Sequence, residues 1–330
     1  MDCSGASDRP NPIALIEEAC NRIYSLARET SLMWLPHDPP VLGSARLFAK
    51  MELQQVTGSF KVRGAANKIF SLDQEVAARG VVASSTGNHG LGVVAAAHSR
   101  GIDAEVFLSF QVPELKWKKI ESYGARIRMI GESPLNAELA ARAAAQDSGR
   151  TYISPYNDWQ VIGGQGTIAV ELLQQMRNID AVFVATGGGG LISGIGSYLK
   201  ARSPQTEVVA CWPENSRVLY ECLHAGRIVD YPETYTLSES TAGGVEPGSI
   251  TFDLARDVIS RSVLVSEDAI LDAMVWAHQH GWTIEGSAAV ALAAFFADPS
   301  RYEDKNVVVV FCGGNLSPEV DARLRQRSTA

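Results

Sequence analysis

A run of five apolar residues, Val307–Phe311 (VVVVF), restricts the fold of this chain more than any other feature. A strand with one face in water alternates apolar and polar residues, whereas this run is apolar at every position. It therefore suits a strand that is buried on both faces, as in a parallel sheet covered by helices on each side.

Other short runs rich in β-branched residues alternate with longer helical patterns. The predicted strands are Gly80–Ser84, Ala104–Phe110, Arg126–Ile130, Ala181–Thr186, Glu207–Trp212, Ser262–Ser266 and Asn306–Cys312. Two helix starts are predicted as well. An acidic pair at Glu267 precedes an apolar stripe that ends at Val275, and Ser317 is followed by a proline and an acid. Such alternation predicts an α/β fold with mostly parallel sheets.

The composition narrows the class of protein. The 330 residues are 46% hydrophobic and 20% charged, which is typical of a globular protein. A net charge of −8 argues against nucleic acid as the main partner, since phosphate binding relies on Lys and Arg.

No apolar run reaches the roughly 18 residues of a membrane span. The polar start, Met1–Pro12, predicts a loose tail without a secretory signal. Five scattered cysteines without a CxxC pair are typical of reduced thiols, so we expect a cytoplasmic protein.

Four consecutive glycines, Gly187–Gly190, stand between the predicted strand Ala181–Thr186 and a predicted helix. Glycine lets backbone N–H groups approach a ligand closely, and a helix start adds free N–H groups and the positive end of its dipole. We interpret the loop as a phosphate site, with a flexible turn as the alternative. No Gly-Lys-Ser/Thr follows and the loop fits no GxGxxG frame, which disfavours a dinucleotide.

Two other predicted helix starts carry polar chemistry. Ser85–Gly90 (STGNHG) offers hydroxyls and an amide that suit a carboxylate, although an ordinary helix cap is the alternative. Lys61 stands at a helix start, where a cation is disfavoured. A lysine with a lowered pKa can act as an amine nucleophile, whereas a solvated surface lysine is the alternative. A phosphate cradle, an amine and a carboxylate pocket together are what pyridoxal phosphate requires to act on an amino acid.

Four segments carry a family resemblance. Ser59–Ala65 (SFKVRGA) resembles the cofactor-lysine motif of the serine/threonine dehydratases, which are tryptophan-synthase-β-like pyridoxal phosphate enzymes of fold type II. Ser85–Gly90 resembles their substrate loop, Gly187–Leu191 their phosphate loop, and Cys312–Asn315 (CGGN) their C-terminal motif. The order and spacing of all four match over roughly residues 45–325.

The resemblance also implies the architecture. We expect two domains, each an open and mostly parallel sheet flanked by helices. Residues 1–50 and 155–330 would form a large domain that binds pyridoxal 5'-phosphate, and residues 51–154 a small domain that carries the substrate loop. A homodimer or higher homo-oligomer is implied as well.

Roles around the cofactor follow from the same resemblance. Lys61 would hold the cofactor as a Schiff base, Phe60 would pack against its ring, and Asn88 would bond its phenolic oxygen. Cys312 would face the pyridine nitrogen, and Gly244 would line the other face of the ring. Backbone N–H groups would bind the phosphate, from Gly187, Gly188, Gly189, Gly190 and Leu191.

Further residues are implied in substrate binding. Ser85, Thr86 and His89 would lie near the substrate carboxylate, although a lone histidine is more often structural. Thr86 matches a position where serine racemases have a serine base, so racemase activity stays open. Glu285, in the segment EGSA, matches a family glutamate without an assigned role.

The resemblance implies no metal site. Some relatives, the serine racemases among them, bind a divalent metal through an acidic pair. The matching positions fall near Trp212 and Val218, so we expect no metal.

The implied activity is that of a dehydratase, or ammonia-lyase. It would convert a β-hydroxy-α-amino acid of the threonine or serine type to a 2-oxo acid and ammonia by β-elimination. A neutral thiol at Cys312 cannot keep the ring nitrogen protonated, so the carbanion at Cα is poorly delocalised and must be consumed quickly, as β-elimination does.

Three alternatives remain. The segment Ala242–Gly248 resembles dehydratases of hydroxyectoine breakdown, whose substrate is a hydroxylated diaminobutyrate, and Glu246 could meet its extra amine. A β-replacement enzyme of the same fold is a second alternative, although its lysine motif lacks Phe60 and the Arg-Gly-Ala that follows Lys61 here. A protein that binds NAD or another nucleotide through the glycine loop is the third.

Overall fold

The computed structural model of the chain describes residues 9–35, 43–112 and 114–328. Residues 1–8, most of the expected loose tail, lie outside the described residues. The first helix begins at Pro12, because the side chain of Asn11 accepts a hydrogen bond from the backbone N–H of Ile13 at 3.0 Å and proline fits the first helical turn.

Helices and strands alternate along the described chain. The helices are α1 (Pro12–Arg22), α2 (Lys61–Phe70), α3 (Gln74–Arg79), α4 (Asn88–Ser99), α5 (Glu114–Glu121), α6 (Pro134–Ser148), α7 (Trp159–Gln175), α8 (Gly190–Arg202), α9 (Val218–Ala225), α10 (Ile250–Val258), α11 (Glu267–Gln279), α12 (Gly286–Phe296) and α13 (Pro318–Ser328). The strands are β1 (Leu32–Trp34), β2 (Arg46–Lys50), β3 (Val81–Ala83), β4 (Ala104–Leu108), β5 (Arg126–Met129), β6 (Thr151–Tyr152), β7 (Ala181–Ala185), β8 (Glu207–Pro213), β9 (Arg261–Val265) and β10 (Asn306–Val310). Short 3₁₀ helices span Ile23–Ser25, Glu52–Gln54 and Pro299–Tyr302.

The larger sheet has six strands in the order β1-β2-β10-β7-β8-β9. Its neighbours are parallel except for β1, which runs antiparallel to β2. The apolar run forms β10 between β2 and β7, and Val307–Val310 are fully buried. This confirms the expectation of a strand covered on both faces, and with it the α/β class.

The smaller sheet has four parallel strands in the order β5-β4-β3-β6. The seven strands predicted from the sequence all exist, as do the helices that begin after Ser266 and Ser317. Strands β1, β2 and β6 were not predicted. The domain boundaries, 1–50 with 155–330 against 51–154, stay a prediction.

No helix in the described part of the chain is long and apolar enough to cross a membrane. Four cysteines lie among the described residues, namely Cys20, Cys211, Cys222 and Cys312, and each is a free thiol.

A buried ion network joins β2, α2 and α7. Arg63 donates two hydrogen bonds to Glu52, at 2.7 and 2.8 Å, and two to Glu171, at 2.5 and 2.9 Å. Lys50 donates to Glu171 at 2.5 Å and to the carbonyl oxygen of Thr30 at 2.7 Å. The four charged side chains are at most 1% exposed. Two cations thus compensate two anions in a place without solvent, and the pairing lowers the pKa of Glu171 despite its burial.

Breaking this network should destabilise the protein strongly. In an Arg63→Met variant, both carboxylates lose their shared partner, and removal of one member of a buried ion pair costs about 3–5 kcal/mol. We expect a loss of that size in the free energy of unfolding, measured by urea denaturation. The matched control is Arg126→Met, which breaks the exposed pair with Asp103 and should cost less than about 1 kcal/mol. Equal losses in the two variants would contradict this account.

Candidate active site

A cavity of about 610 Å³ lies where the parallel strands β7 and β10 end. Ligands of open α/β sheets bind beyond the carboxyl ends of strands. Nine of the predicted site residues line this cavity, namely Phe60, Lys61, Gly187, Gly188, Gly189, Gly190, Leu191, Gly244 and Cys312. The structure therefore brings together three motifs that are far apart in the sequence.

Backbone pairing places Lys61 beside the C-terminal motif. Ser59 and Gly313 form an isolated antiparallel bridge. The N–H of Phe60 donates to the carbonyl oxygen of Cys312 at 3.0 Å, and the N–H of Gly314 donates to Gly58 at 3.0 Å. Because Cys312 lies two residues after the end of β10, this pairing fixes the start of α2 against the end of the central strand.

Lys61 carries an amine suited to nucleophilic chemistry. It is the first residue of α2, and its Nζ donates to the carbonyl oxygen of Pro155 at 2.8 Å. The Nζ also lies 5.3 Å from the centroid of the Phe60 ring. Burial lowers the pKa of Lys61 to about 8, although the charge of Glu285 opposes this shift. A large share of the amine is therefore neutral near pH 8.

The glycine loop is shaped as a cradle. Gly189 has φ +88°, a left-handed conformation that favours glycine, and it precedes α8 without any side-chain cap. A Cβ at Gly188 would lie 2.7 Å from ring atoms of Tyr156. The first N–H groups of α8 have no partner within the helix, so they are available to an anion. This arrangement fits a phosphate group.

Cys312 is 3% exposed and lines the cavity. Burial raises the pKa of its thiol well above the usual value, so the side chain is neutral at physiological pH.

The predicted substrate loop lies apart from the cavity lining. Ser85 and Thr86 are half-buried, and Ser85 Oγ accepts a hydrogen bond from the N–H of Gly87 at 3.2 Å. His89 is buried, and its Nε2 donates to the carbonyl oxygen of Ile153 at 2.8 Å. Burial, aided by the charge of Lys61, lowers the pKa of His89 to about 3, so the ring is neutral. The roles of Ser85, Thr86 and His89 toward a carboxylate stay predictions.

Asn88, the first residue of α4, is held by polar groups from distant segments. Its Nδ2 donates to the carboxylate of Glu285, at 2.8 and 3.0 Å, and to Ser240 Oγ at 3.2 Å. Its Oδ1 accepts from Nδ2 of Asn315 at 2.7 Å. The sequence indicated Glu285 only by a motif match, and Asn315 only as the last letter of CGGN.

The outer part of the cavity contains Glu246, which the sequence indicated, and two charged residues that it did not single out, Glu138 and Arg142. Arg142, on α6, donates to Glu138 at 2.9 and 3.0 Å and to Glu246 at 2.9 Å, and all three line the cavity. Glu246 lies in a loop, and its N–H donates to the hydroxyl of Tyr156 at 2.9 Å. The charge pattern of α6, with Glu138 and Arg142 at i and i+4, could have indicated these two residues.

The positions that match a metal-binding pair in some relatives are apolar and buried here. Trp212 is 1% exposed and Val218 is 5% exposed. Within the described residues, no group of three His, Cys, Asp or Glu side chains could hold a metal ion.

The lining residues fit pyridoxal phosphate in three respects. The glycine loop offers N–H groups where no Cβ would fit, Lys61 offers an amine with a lowered pKa, and Cys312 offers a neutral thiol. An aldehyde, a phosphate and a ring nitrogen are the three groups of this cofactor that a protein must bind.

Comparisons with known proteins agree with this geometry. The model of the family described as pyridoxal-phosphate dependent enzyme matches residues 23–313. A catabolic L-threonine dehydratase of Staphylococcus aureus is 34% identical over 305 residues, covering 91% of this chain and 88% of that protein. A serine racemase of Arabidopsis thaliana is 34% identical over 310 residues, covering 92% of this chain and 93% of that protein.

The solved structures give the same result. The processed form of threonine deaminase isoform 2 from Solanum lycopersicum superimposes with a TM-score of 0.92 at 28% identity, covering 98% of this chain and 95% of that one. The alternative of an NAD-binding protein is therefore wrong, and the chain belongs to the family of pyridoxal-phosphate dependent enzymes.

Proposed function

We propose that the protein is a dehydratase, or ammonia-lyase, that acts on a β-hydroxy-α-amino acid of the threonine or serine type. The observation that carries the proposal is the position of the Lys61 amine, which faces one cavity together with the glycine loop and the neutral Cys312. The similar threonine dehydratase supports an eliminating activity. The similar serine racemase is the reason to measure racemisation in the same assays.

The proposed reaction assigns separate roles to the cofactor and to Lys61. When bound, pyridoxal phosphate supplies the electron sink for a carbanion at Cα. Lys61 would hold the cofactor and would be the base that takes the Cα proton, and its lowered pKa makes the neutral amine accessible near pH 8. The electron pair of the Cα–H bond forms a double bond to Cβ as the β-hydroxyl leaves with the electron pair of the Cβ–O bond. The hydroxyl takes up a proton and departs as water. The enamine product then hydrolyses to a 2-oxo acid and ammonia.

A Lys61→Ala variant should abolish ammonia release from serine and threonine while the protein still folds. It should also lose the visible absorbance of bound pyridoxal phosphate, because no amine remains to bind the aldehyde. In the wild-type apoprotein, the rate of cofactor incorporation should rise with pH and level off above about pH 8, where Lys61 is deprotonated. Turnover by the variant near the wild-type rate would refute the assignment of Lys61.

Substitutions at Cys312 test whether a neutral partner favours elimination. A Cys312→Ser variant should keep most of its activity, since serine offers the same kind of neutral contact. A Cys312→Asp variant should eliminate more slowly, because an ionised carboxylate favours a protonated ring nitrogen and brings a charge into a buried place. Stopped-flow measurement of pyruvate formation from serine compares the two. An Asp variant as fast as the wild type would show that Cys312 is only a small buried side chain.

A hydroxylated diaminobutyrate is a second candidate substrate. Atom Oε1 of Glu246 is buried and has no hydrogen-bond partner, while Oε2 accepts from Arg142. Two carboxylates and one guanidinium therefore give this outer part of the cavity a net negative charge. An unpaired carboxylate oxygen at that place suits a substrate with a second, cationic amine.

A Glu246→Gln variant separates the two candidates. If the second amine binds there, kcat/KM for 2,4-diamino-3-hydroxybutyrate should fall by roughly tenfold or more, as expected for the loss of a charge-assisted hydrogen bond. The same variant should leave kcat/KM for threonine within about twofold, so threonine is the internal control. An equal fall for both substrates would remove this candidate.

A further inference from the structure

Glu285 is buried, yet its carboxylate does not cap the helix that it precedes. It occupies the position before Gly286, the first residue of α12, and makes no side-chain hydrogen bond to that helix. Its backbone N–H donates to the carbonyl oxygen of Gly313 at 3.0 Å, which ties it to the C-terminal motif. Both carboxylate oxygens instead accept from Asn88 Nδ2. A function through Asn88 therefore explains the carboxylate better than helix capping does.

The orientation of the Asn88 amide is determined from both sides. A carboxylate can only accept from an amide, so Glu285 requires Nδ2 on its side. On the other side, Nδ2 of Asn315 donates to Oδ1 of Asn88 and also, at 2.9 Å, to the carbonyl oxygen of Thr57. A carbonyl oxygen accepts only, so the Asn315 amide is fixed as well. Rotation of the Asn88 amide by 180° would place its NH₂ against a donor and its oxygen against a carboxylate.

The second N–H of Asn88 is donated to a residue that lines the cavity. An amide nitrogen has two hydrogens, and the partners of Nδ2 are Glu285 and Ser240 Oγ. Ser240 lines the cavity that contains Lys61, whereas Glu285 and Asn88 do not. One hydrogen thus binds the carboxylate, and the other is donated to Ser240 Oγ at the edge of the cavity where the cofactor must lie.

We propose that Glu285 is a positioning residue, which holds the Asn88 amide so that one N–H is presented to the phenolic oxygen of the cofactor. The proposal rests on the proposed role of Lys61 in the same cavity. Burial raises the pKa of Glu285, while its hydrogen bonds and the charge of Lys61 oppose the rise. The contacts that orient the amide thus partly offset the cost of burying the carboxylate.

The test is a double-mutant cycle on cofactor binding. Apoprotein is titrated with pyridoxal phosphate, and the visible absorbance of the bound cofactor is followed in wild type, Glu285→Gln, Asn88→Ala and the double variant. Glu285→Gln should weaken binding about tenfold, the size of one misplaced hydrogen bond, since a glutamine amide can also donate. In the Asn88→Ala background the same change should have less than a twofold effect, because residues that act as a unit are not additive. The pH at which the band titrates should shift in Glu285→Gln and not further in the double variant.

The control is Glu214→Gln, which removes an exposed carboxylate outside the cavity and should bind the cofactor like the wild type. Thermal unfolding of each apoprotein measures purely structural effects. If Glu285→Gln does not fold, Glu285→Asp replaces it, because the shorter side chain keeps the charge but moves the acceptor away from Asn88. Additive effects, or unchanged affinity in a folded variant, would overturn the proposal. The readout is cofactor binding, so a protein that binds pyridoxal phosphate but does not turn over serine or threonine refutes the proposed function and leaves this test valid.

Discussion

The pairing of Arg63 with Glu52 and Glu171 is the interaction on which the position of the reactive amine depends. Arg63 stands two residues after Lys61, in the first turn of α2, and its guanidinium is fully buried. Its two bidentate contacts come from the segment after β2 and from α7. A buried ion pair adds little net stability, but its geometry is demanding, because each charge requires its partner in place. The network therefore restrains the rotation and the depth of α2, and with them the direction in which Lys61 points.

The second constraint is the pairing of residues 58–60 with 312–314. It brings a helix start and the end of the central strand into contact, although about 250 residues separate them in sequence. The parallel sheet supplies the rest, because the carboxyl ends of β7 and β10 meet at one edge and the glycine loop begins two residues after β7. The cavity is thus a consequence of the topology, and only its chemistry depends on the side chains at the strand ends.

Local patterns explain what could be predicted from the sequence. Apolar runs such as Val307–Phe311 and caps such as Ser266 depend on neighbours in the chain, and the structure has them where they were expected. Strand β2 was missed because it carries Arg46 and Lys50, and Lys50 is buried only because Glu171, 121 residues away, compensates its charge. No local pattern contains that partner.

The same distinction applies to the candidate site. The glycine loop and Lys61 were predicted from short motifs, since each bears its chemistry within a few residues. The environment of Asn88 was not predicted, because its three hydrogen-bond partners come from three segments that are remote in sequence from α4 and from one another. Adjacent residues even take different environments. The side chain of His89 bonds a carbonyl oxygen near β6, whereas that of Asn88 reaches the residues beside the cavity. A motif match alone assigns Asn88 and His89 to one substrate loop and cannot distinguish their environments.

The distribution of charge in the cavity connects this architecture to the proposed reaction. Its deep end combines a neutral thiol, an amine whose pKa burial has lowered, and backbone N–H groups that favour an anion. The ion pairs of the outer end involve side chains of α6 and of the loop that contains Glu246. In the proposed reaction, a neutral contact at the ring nitrogen would limit how long a carbanion persists, and the lowered pKa of Lys61 would make its amine available to remove the proton that creates it. Elimination satisfies both conditions, because the electron pair released at Cα forms the double bond to Cβ as the β-hydroxyl leaves with the pair of the Cβ–O bond. The outer charges have no role in the proposed elimination step, and under the proposed function they would select the side chain of the substrate.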